Sequence, residues 1–271
     1  MKQTKLSIFD ASKNKTGEIA LPMQFNEEVR SDLISRAVLA LQSNKRQAYG
    51  AMPEAGKRYS STLSKRRRRY RGSYGHGISR TPRKILSRRG TRLFWVGAFA
   101  PNTVGGRRAH PPKSEKILER KINKKERRKA IRSGIAATIV KDIVKNRGHI
   151  IPDNFPFILD SKFEMLSKTQ EMLNALKAVG LEKELERVEK KSIRAGKGKL
   201  RGRKYDTKTG PLIVVSKNSA VMKAANNIPG VNIVEVKNLN AEMLAPGEAP
   251  GRLTLWTAGA IKLLEEKKLF M

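Results

Sequence analysis

Apolar residues recur at helix or strand spacing along most of the chain, with one long exception between residues 45 and 113. Residues 5–9 have the pattern of a short strand, and residues 14–17 have the composition of a turn. A helix is predicted next, because Asn26 can cap it and Glu27 and Glu28 would lie in its first turn. The apolar stripe of this helix repeats every four residues, at Val29, Leu33, Ala37 and Leu41.

A second helix is predicted after the exception. Asn123 and Glu126 have the spacing of a capping box, with Asn in the place of Ser or Thr. The cations of this helix fall largely off its apolar face, so that face is expected to pack. The apolar face consists of Ile131, Ile135, Thr138 and Ile139.

Strand and helix patterns then alternate to the end of the chain. Residues 212–215 are wholly apolar, which is typical of a strand buried on both faces, and Thr257 is expected to cap a last helix through residue 268. This alternation predicts an α/β fold with a mainly parallel sheet covered by helices. The other predicted strands are residues 155–159, 231–236 and 253–256, and the other helices are residues 169–179, ending at Gly180, and 219–226.

The charge is extreme and unevenly distributed. The 271 residues include 58 Lys or Arg and 24 Asp or Glu, which gives a formal charge of +34. Residues 45–113, here called the basic stretch, contain 19 of these cations and a single acid, Glu54. Such a charge needs a polyanion to neutralise it, and nucleic acid is the leading class of partner.

The basic stretch also lacks the apolar repeat of a folded segment, although it holds nine of the 21 glycines and seven of the 15 aromatic residues. It is therefore predicted to be a long loop extending from one globular domain, formed by residues 1–44 and 114–271, and to become ordered only on RNA. The sequence has no cysteine and no apolar run long enough to span a membrane. A cytoplasmic protein without a membrane partner is expected.

Residues 65–71 place six cations around Tyr70. A nuclear-localisation-like run or a solvated basic segment is the alternative to phosphate contact. Because the run is internal and the cations continue beyond it, phosphate contact along an extended path is favoured. Most of them are arginines, which grip phosphate bidentately and stack on unpaired bases, so the pattern indicates folded RNA.

Two further segments bear on RNA binding. Residues 93–96 with Phe99 form an apolar patch. The patch is either a small local cluster or a contact with another protein; the alternative is that bases stack on Phe94 or Trp95. Residues 197–204 form a second basic cluster, and the three glycines at positions 196, 198 and 202 favour a loop close to RNA backbone over a helix.

Motifs for other chemistry fail at required positions. Residues 72–77 are rich in glycine, but Arg80 stands where a dinucleotide-binding loop needs its third glycine; Ala51 and Arg58 break the nucleoside-triphosphate pattern around Gly56. The three histidines lie far apart without ligand spacing, and no nucleophile pattern occurs. No metal, cofactor or small-molecule substrate is therefore expected. An RNA-processing or nucleotide-processing enzyme and a free basic chromatin or membrane-surface binder are the competing functions.

Four long strings resemble the archaeal and eukaryotic branch of the universal large-subunit ribosomal protein four family. They are residues 102–113 (NTVGGRRAHPPK), 122–138 (INKKERRKAIRSGIAAT), 194–205 (RAGKGKLRGRKY) and 245–257 (APGEAPGRLTLWT). The order and spacing of the strings agree with that family over nearly the whole chain. The resemblance implies a non-enzymatic structural constituent of the large ribosomal subunit, with large-subunit rRNA as its partner.

The resemblance also implies that the loop threads through rRNA to the peptide exit tunnel. There its tip, near residues 70–83, would form the constriction with universal large-subunit protein twenty-two. Members of the family often have Gly-Arg-Gly where this chain has Gly75, His76 and Gly77. The tip residues implied are Tyr70, Tyr74, Gly75, His76, Gly77 and Arg80.

The cations expected to bind rRNA, here called the twenty predicted cations, follow from the basic runs and the resemblance together. They are Lys65, Arg66, Arg67, Arg68, Arg69, Arg71, Arg80, Arg83, Lys84, Arg88, Arg89, Arg92, Arg107, Arg108, Lys113, Lys197, Lys199, Arg201, Arg203 and Lys204.

Overall fold

Ten strands and eight helices lie within residues 5–271, the part of the chain that this computed structural model describes. The strands are β1 (Lys5–Phe9), β2 (Lys15–Ala20), β3 (Arg83–Arg89), β4 (Arg92–Gly97), β5 (Ile158–Leu159), β6 (Ser192–Ile193), β7 (Tyr205–Asp206), β8 (Leu212–Val215), β9 (Asn232–Glu235) and β10 (Thr254–Thr257). The helices are α1 (Ser31–Asn44), α2 (Lys124–Ala137), α3 (Lys141–Asn146), α4 (Thr169–Leu176), α5 (Glu182–Glu189), α6 (Ala220–Asn226), α7 (Ala241–Leu244) and α8 (Ala258–Glu266).

Packing divides these residues into two compact units. Residues 5–44 and 119–271 form the first, here called the globular unit. Residues 45–118 form the second, here called the basic unit, which includes strands β3 and β4.

A six-stranded sheet forms the centre of the globular unit, with the strand order β2-β1-β5-β10-β8-β9. All neighbours are parallel except β1 and β2, which pair antiparallel. Alternate residues of β8 enter two different cores: Leu212 and Val214 join one, and Ile213 and Val215 join the other. Helices α1, α2 and α8 cover the first face, and α4 and α6 cover the second. The predicted α/β class with a mainly parallel, covered sheet is confirmed.

The predicted strand at residues 212–215 and the cap of the last helix are confirmed. The Thr257 side chain accepts a hydrogen bond from the Ala260 amide at 3.2 Å, and α8 follows it. Other ends differ. The strand predicted at residues 155–159 is only two residues long, and α4 ends at Leu176, from which a wider turn leads to α5. Gly180 lies in that turn with a φ of 101°, a conformation that favours glycine.

The first helix begins later than the capping pattern predicted. Asn26 ends a short 3₁₀ turn, and α1 starts at Ser31. Glu27 is outside the helix because it accepts a hydrogen bond from Arg132 of α2 at 2.7 Å. The amide of Arg30 likewise donates to the Ser133 hydroxyl of α2 at 2.6 Å. Val29 of the predicted stripe therefore lies outside the helix, whereas Ala37 is buried and Leu33 and Leu41 pack against the core as predicted. The buried face also includes Ile34, Val38 and Ala40.

Two more local predictions are corrected by tertiary contacts. The first turn lies at residues 10–14, where the Asp10 amide donates to the Asn14 carbonyl, because Gly17 is already inside β2 and opposite Ile8 of β1. Asn123 is the N-cap of α2 as predicted, but its side chain makes no capping bond. Glu126, the expected partner in that box, instead lies 3.3 Å from Arg36 of α1.

The second face of the sheet carries a buried ionic network that the sequence patterns did not predict. Glu184 of α5 is fully buried, with Oε1 2.7 Å from Nδ1 of His149 and 2.7 Å from the Arg187 guanidinium. The Ile150 amide donates to its other oxygen at 2.9 Å. Burial acts to raise the pKa of Glu184, but the hydrogen bonds from Arg187, His149 and the Ile150 amide together outweigh it and lower that pKa. The network therefore joins α5 to residues 149–150.

Candidate nucleic-acid interface

The basic unit contains an antiparallel hairpin, β3–β4, which the sequence patterns did not predict. Arg89 pairs with Arg92, so Gly90 and Thr91 form a two-residue turn in which Gly90 has a φ of 57°. The missed signal was a glycine turn between two runs rich in strand-forming residues. The expectation that the basic stretch lacks regular structure of its own is therefore wrong for residues 83–97.

Backbone contacts hold the two arms of the basic unit together near its ends. The Ala51 amide donates to the Pro112 carbonyl at 2.9 Å. Gly56, with a φ of 73°, lies so close to the other arm that a Cβ would come within 2.5 Å of the Gly106 carbonyl and the Arg107 nitrogen. Only glycine fits such an approach of two backbones, so Gly56 sets the spacing of the arms.

Replacing Gly56 with Ala is expected to open the arms, since the added methyl would clash with backbone that has no rotamer to change. We expect a destabilisation of about 1–3 kcal/mol, typical of overpacking, and faster amide exchange in residues 45–60 and 103–113. Hydrogen exchange followed by mass spectrometry measures this. Gly75→Ala is the matched control, because Gly75 has a similar φ of 79° but open space around it. Equal exchange in both variants would show that the close approach does not matter.

Little of the basic unit is buried. Within residues 45–118, all of which the structure describes, only Ser73 and Ala98 are buried. Its rings pack against cations instead of against each other, an arrangement in which the guanidinium or ammonium faces the ring's negative surface. These pairs are Arg67 and Arg80 with Tyr74, Arg71 with Tyr70, Arg83 with Trp95, Lys84 with Tyr59, Arg92 with Phe94, and Arg107 with Phe99.

The twenty predicted cations are accessible and lack acidic partners. None is buried, and all are exposed except Arg71, Arg83, Lys84 and Arg107, which are partly buried. Among residues 5–271, no carboxylate forms an ion pair with any of them. The charge is thus not neutralised within the protein, as a surface for phosphates requires.

The structure brings residues 65–71 next to the β3–β4 hairpin. Thr62 forms an isolated antiparallel β-bridge with Arg83, the first residue of β3. The Ser64 amide donates a hydrogen bond to the Arg71 carbonyl at 3.0 Å. The Tyr70 hydroxyl accepts a hydrogen bond from Arg88 at 3.4 Å, and this bond, with one from Arg71, lowers the pKa of Tyr70. Cations that are far apart in sequence therefore form one surface.

Among the residues that the resemblance implied for the loop tip, Tyr74, Gly75, His76 and Gly77 form a turn, of which the last three are exposed. Tyr74 lies between two guanidinium groups, with Arg80 at 4.4 Å and Arg67 at 5.8 Å from its ring centre. Gly75 and Gly77 both have positive φ, of 79° and 65°. His76 between them is exposed, so the turn presents an imidazole flanked by bare backbone.

The second basic cluster lies in the globular unit, in the connection between β6 and β7. Gly196–Arg201 form a 3₁₀ helix, and Gly202 follows it in the left-handed conformation. The prediction of a loop without helix was therefore wrong for these six residues, because three glycines tolerate a tight 3₁₀ turn closed by the β6–β7 pair. The five cations of this cluster are exposed, as a nucleic-acid contact requires.

Sequence reasoning missed further cations of the basic unit that are equally accessible. Among them, Arg46, Lys57 and Arg58 are exposed and stand in the arm opposite residues 106–113. They were overlooked because they belong to short pairs, whereas the predicted set was drawn from longer runs and from the resemblance. Their signal was the same excess of charge over the whole stretch.

No cluster of three or more His, Asp or Glu side chains in the described part of the chain could hold a metal ion. None of the helices between residues 5 and 271 is both long and apolar enough to cross a bilayer.

Comparisons with known proteins identify a family that the chain resembles over nearly its whole length. Residues 19–267 match the model of the family described as ribosomal protein L4/L1. A protein from Nanoarchaeum equitans named large ribosomal subunit protein uL4 is 53% identical over 98% of this chain and 99% of its own length. Proteins of the same name from Methanococcoides burtonii and Archaeoglobus fulgidus are 47% and 44% identical, over 97% of this chain and 98% of theirs.

Proposed function

The chain belongs to the ribosomal protein L4/L1 family, a family of structural and not enzymatic proteins, and from this premise we propose how it acts in the large ribosomal subunit. Its partners are large-subunit rRNA and neighbouring ribosomal proteins. Residues 45–113 act as a loop that penetrates the rRNA, and the globular unit remains folded without it. The twenty predicted cations bind rRNA and support assembly of the subunit.

The observation that carries this proposal is the set of exposed cations without acidic partners. Each phosphate that such a cation neutralises releases condensed counterions, which makes binding favourable and dependent on salt. The basic unit has almost no core of its own, so contacts with RNA must offset the cost of ordering it, about 1–2 kcal/mol per backbone residue. The β3–β4 hairpin and the cation–ring pairs lower that cost, because part of the unit is already ordered.

The exposed turn at Tyr74 to Gly77 is the part of the loop that faces the peptide exit tunnel, beside universal large-subunit protein twenty-two. This assignment rests on the family resemblance and is supported by the bare backbone around Gly75 and Gly77. His76 brings an imidazole to the tunnel wall where archaeal relatives often have arginine.

Two measurements test these proposals separately. A tagged chain, expressed in its native cell, should co-sediment with the large subunit through a high-salt sucrose gradient; recovery at the top of the gradient would contradict the ribosomal assignment.

For the tunnel, a photo-crosslinking residue in place of His76 should form adducts with nascent peptides in translating ribosomes. The same residue in place of Lys183, exposed on α5, is the control and should form none.

The competing functions make different predictions. A nucleotide-processing or RNA-processing enzyme would turn over nucleotides or RNA in a purified preparation, and we expect no turnover. A free basic binder of chromatin or membranes would sediment with those fractions after cell lysis instead of with the ribosome.

A further inference from the structure

The basic unit contains a groove that its phosphate-binding role does not require. The groove has a volume of about 660 Å³ and lies between residues 68–78 and the turn and second strand of the β3–β4 hairpin. This is within the range of about 300–1,000 Å³ that is typical of sites for small molecules. It is therefore large enough for a nucleotide and far smaller than a duplex.

The groove is lined by both apolar and cationic side chains. Tyr70, Ile78, Leu93 and Trp95 supply its aromatic and aliphatic lining. Arg68, Arg69, Arg71, Arg92 and His76 also line it. No acidic residue lines the groove.

The hairpin register explains why Trp95 faces this groove. Side chains alternate along β4, so Leu93 and Trp95 are partly buried on one face, whereas Phe94 and Val96 are exposed on the other. On the opposite side, the hydrogen bond that Arg88 donates to the Tyr70 hydroxyl holds the Tyr70 ring beside the hairpin. The guanidinium of Arg71, whose Nε is buried without a hydrogen-bond partner in the protein, also lines the groove.

We propose that this groove receives one unpaired nucleotide of RNA, with its base against Trp95 and Tyr70 and its phosphates at Arg68, Arg69 and Arg92. The arginines that line the groove favour an anion, and its aromatic side chains favour a planar ring, which an unstacked base provides. The inference rests on the proposed rRNA-binding function and adds which form of RNA the surface recognises. It also places Tyr70 on the RNA side of the loop, whereas His76 both lines the groove and belongs to the turn assigned to the tunnel.

The protein itself supplies the optical probe. It has two tryptophans, Trp95 and Trp256, and Trp256 is only 3% exposed in the core of the globular unit. Stacking of a base on Trp95 should quench roughly the Trp95 share of the emission. The experiment titrates the full chain with a single-stranded adenine-rich hexanucleotide RNA and with a longer, stably paired RNA duplex, the two compared at equal phosphate concentration.

We expect the single strand to quench Trp95, whereas the duplex binds without quenching. Trp95→Leu should weaken binding of the single strand about tenfold, as loss of one stacked base does, and leave the salt dependence unchanged. Trp95→Phe should restore most of the affinity. Leu86→Ala, at an exposed position of the neighbouring strand β3 outside the groove, is the control and should bind as the wild type does. Tyr70→Leu keeps Trp95 as the optical probe and should also weaken binding of the single-stranded RNA.

Other outcomes separate the inference from the function on which it rests. If single strand and duplex bind equally, without quenching and without an effect of Trp95→Leu, the groove holds no nucleotide although the surface still binds RNA. If an apolar peptide quenches Trp95 and RNA does not, the groove takes a protein side chain and the inference is wrong. If neither RNA binds at all, the proposed rRNA-binding function fails as well.

Discussion

Replacing residues 65–92 with a Gly/Ser linker of equal length is expected to reduce the affinity for large-subunit rRNA by several orders of magnitude. The segment contains twelve cations and no acid. Because six to ten phosphate contacts change affinity by about 10³–10⁵ between 50 and 200 mM salt, the loss of a similar number should dominate binding. The slope of log affinity against log salt should become shallower by at most about 8–11, at 0.7–0.9 for each contact. Filter binding over a series of KCl concentrations measures both quantities.

A control variant distinguishes this loop from charge in general. Changing Lys197, Lys199, Arg201, Arg203 and Lys204 to Gln removes five cations from the globular unit and should flatten the slope by at most about 3.5–4.5. Both variants should retain the fold of the globular unit, as circular dichroism and Trp256 emission can verify. A linker variant that keeps the wild-type slope would show that the loop is not the anchor.

Replacing Glu184 with Ala is expected to destabilise the globular unit by about 3–5 kcal/mol, the usual effect of removing one partner from a buried ion pair. The change leaves His149, which is 3% exposed, and Arg187 without their carboxylate, and frees the Ile150 amide. Since folded domains are stable by only about 5–15 kcal/mol, the loss is a large fraction of the total. Urea unfolding, followed by far-UV circular dichroism, measures it. Glu186→Ala, at an exposed position of the same helix, is the control and should change stability by less than about 0.5 kcal/mol.

The same carboxylate predicts part of the dependence of stability on pH. The pKa of Glu184 is lower in the folded protein than its ordinary value of 4.5. Its ionised form therefore contributes stability that is fully present above pH 4.5 and is lost as the pH falls through the lowered folded pKa. Glu184→Gln should lack this loss, so the stability difference between wild type and variant should shrink on acidification. A difference that stays constant down to pH 2 would contradict the role assigned to the carboxylate.

The sequence determined those features that depend on local pattern. The apolar run at residues 212–215 specifies a strand buried on both faces, because no polar residue interrupts it to face water. Thr257 caps α8 because a hydroxyl at that position satisfies an amide of the first turn. The net charge of residues 45–113 specified a polyanion as partner, since charge is a sum that needs no geometry. The family resemblance, which rests on long strings, is confirmed by the comparisons.

Tertiary contacts decided the rest. Glu27 looked like a first-turn acid, but it accepts a hydrogen bond from Arg132, which is 105 residues away along the chain. No local pattern contains that partner. Glu184 is fully buried with His149 and Arg187, and the pattern of its own helix does not indicate the distant partner, His149. Trp95 and Tyr70 came to share one groove only through the hairpin register and the Arg88 bond. Periodicity and charge are properties of neighbours in sequence, whereas caps, buried ion pairs and grooves depend on which distant groups the fold brings within hydrogen-bonding or packing distance.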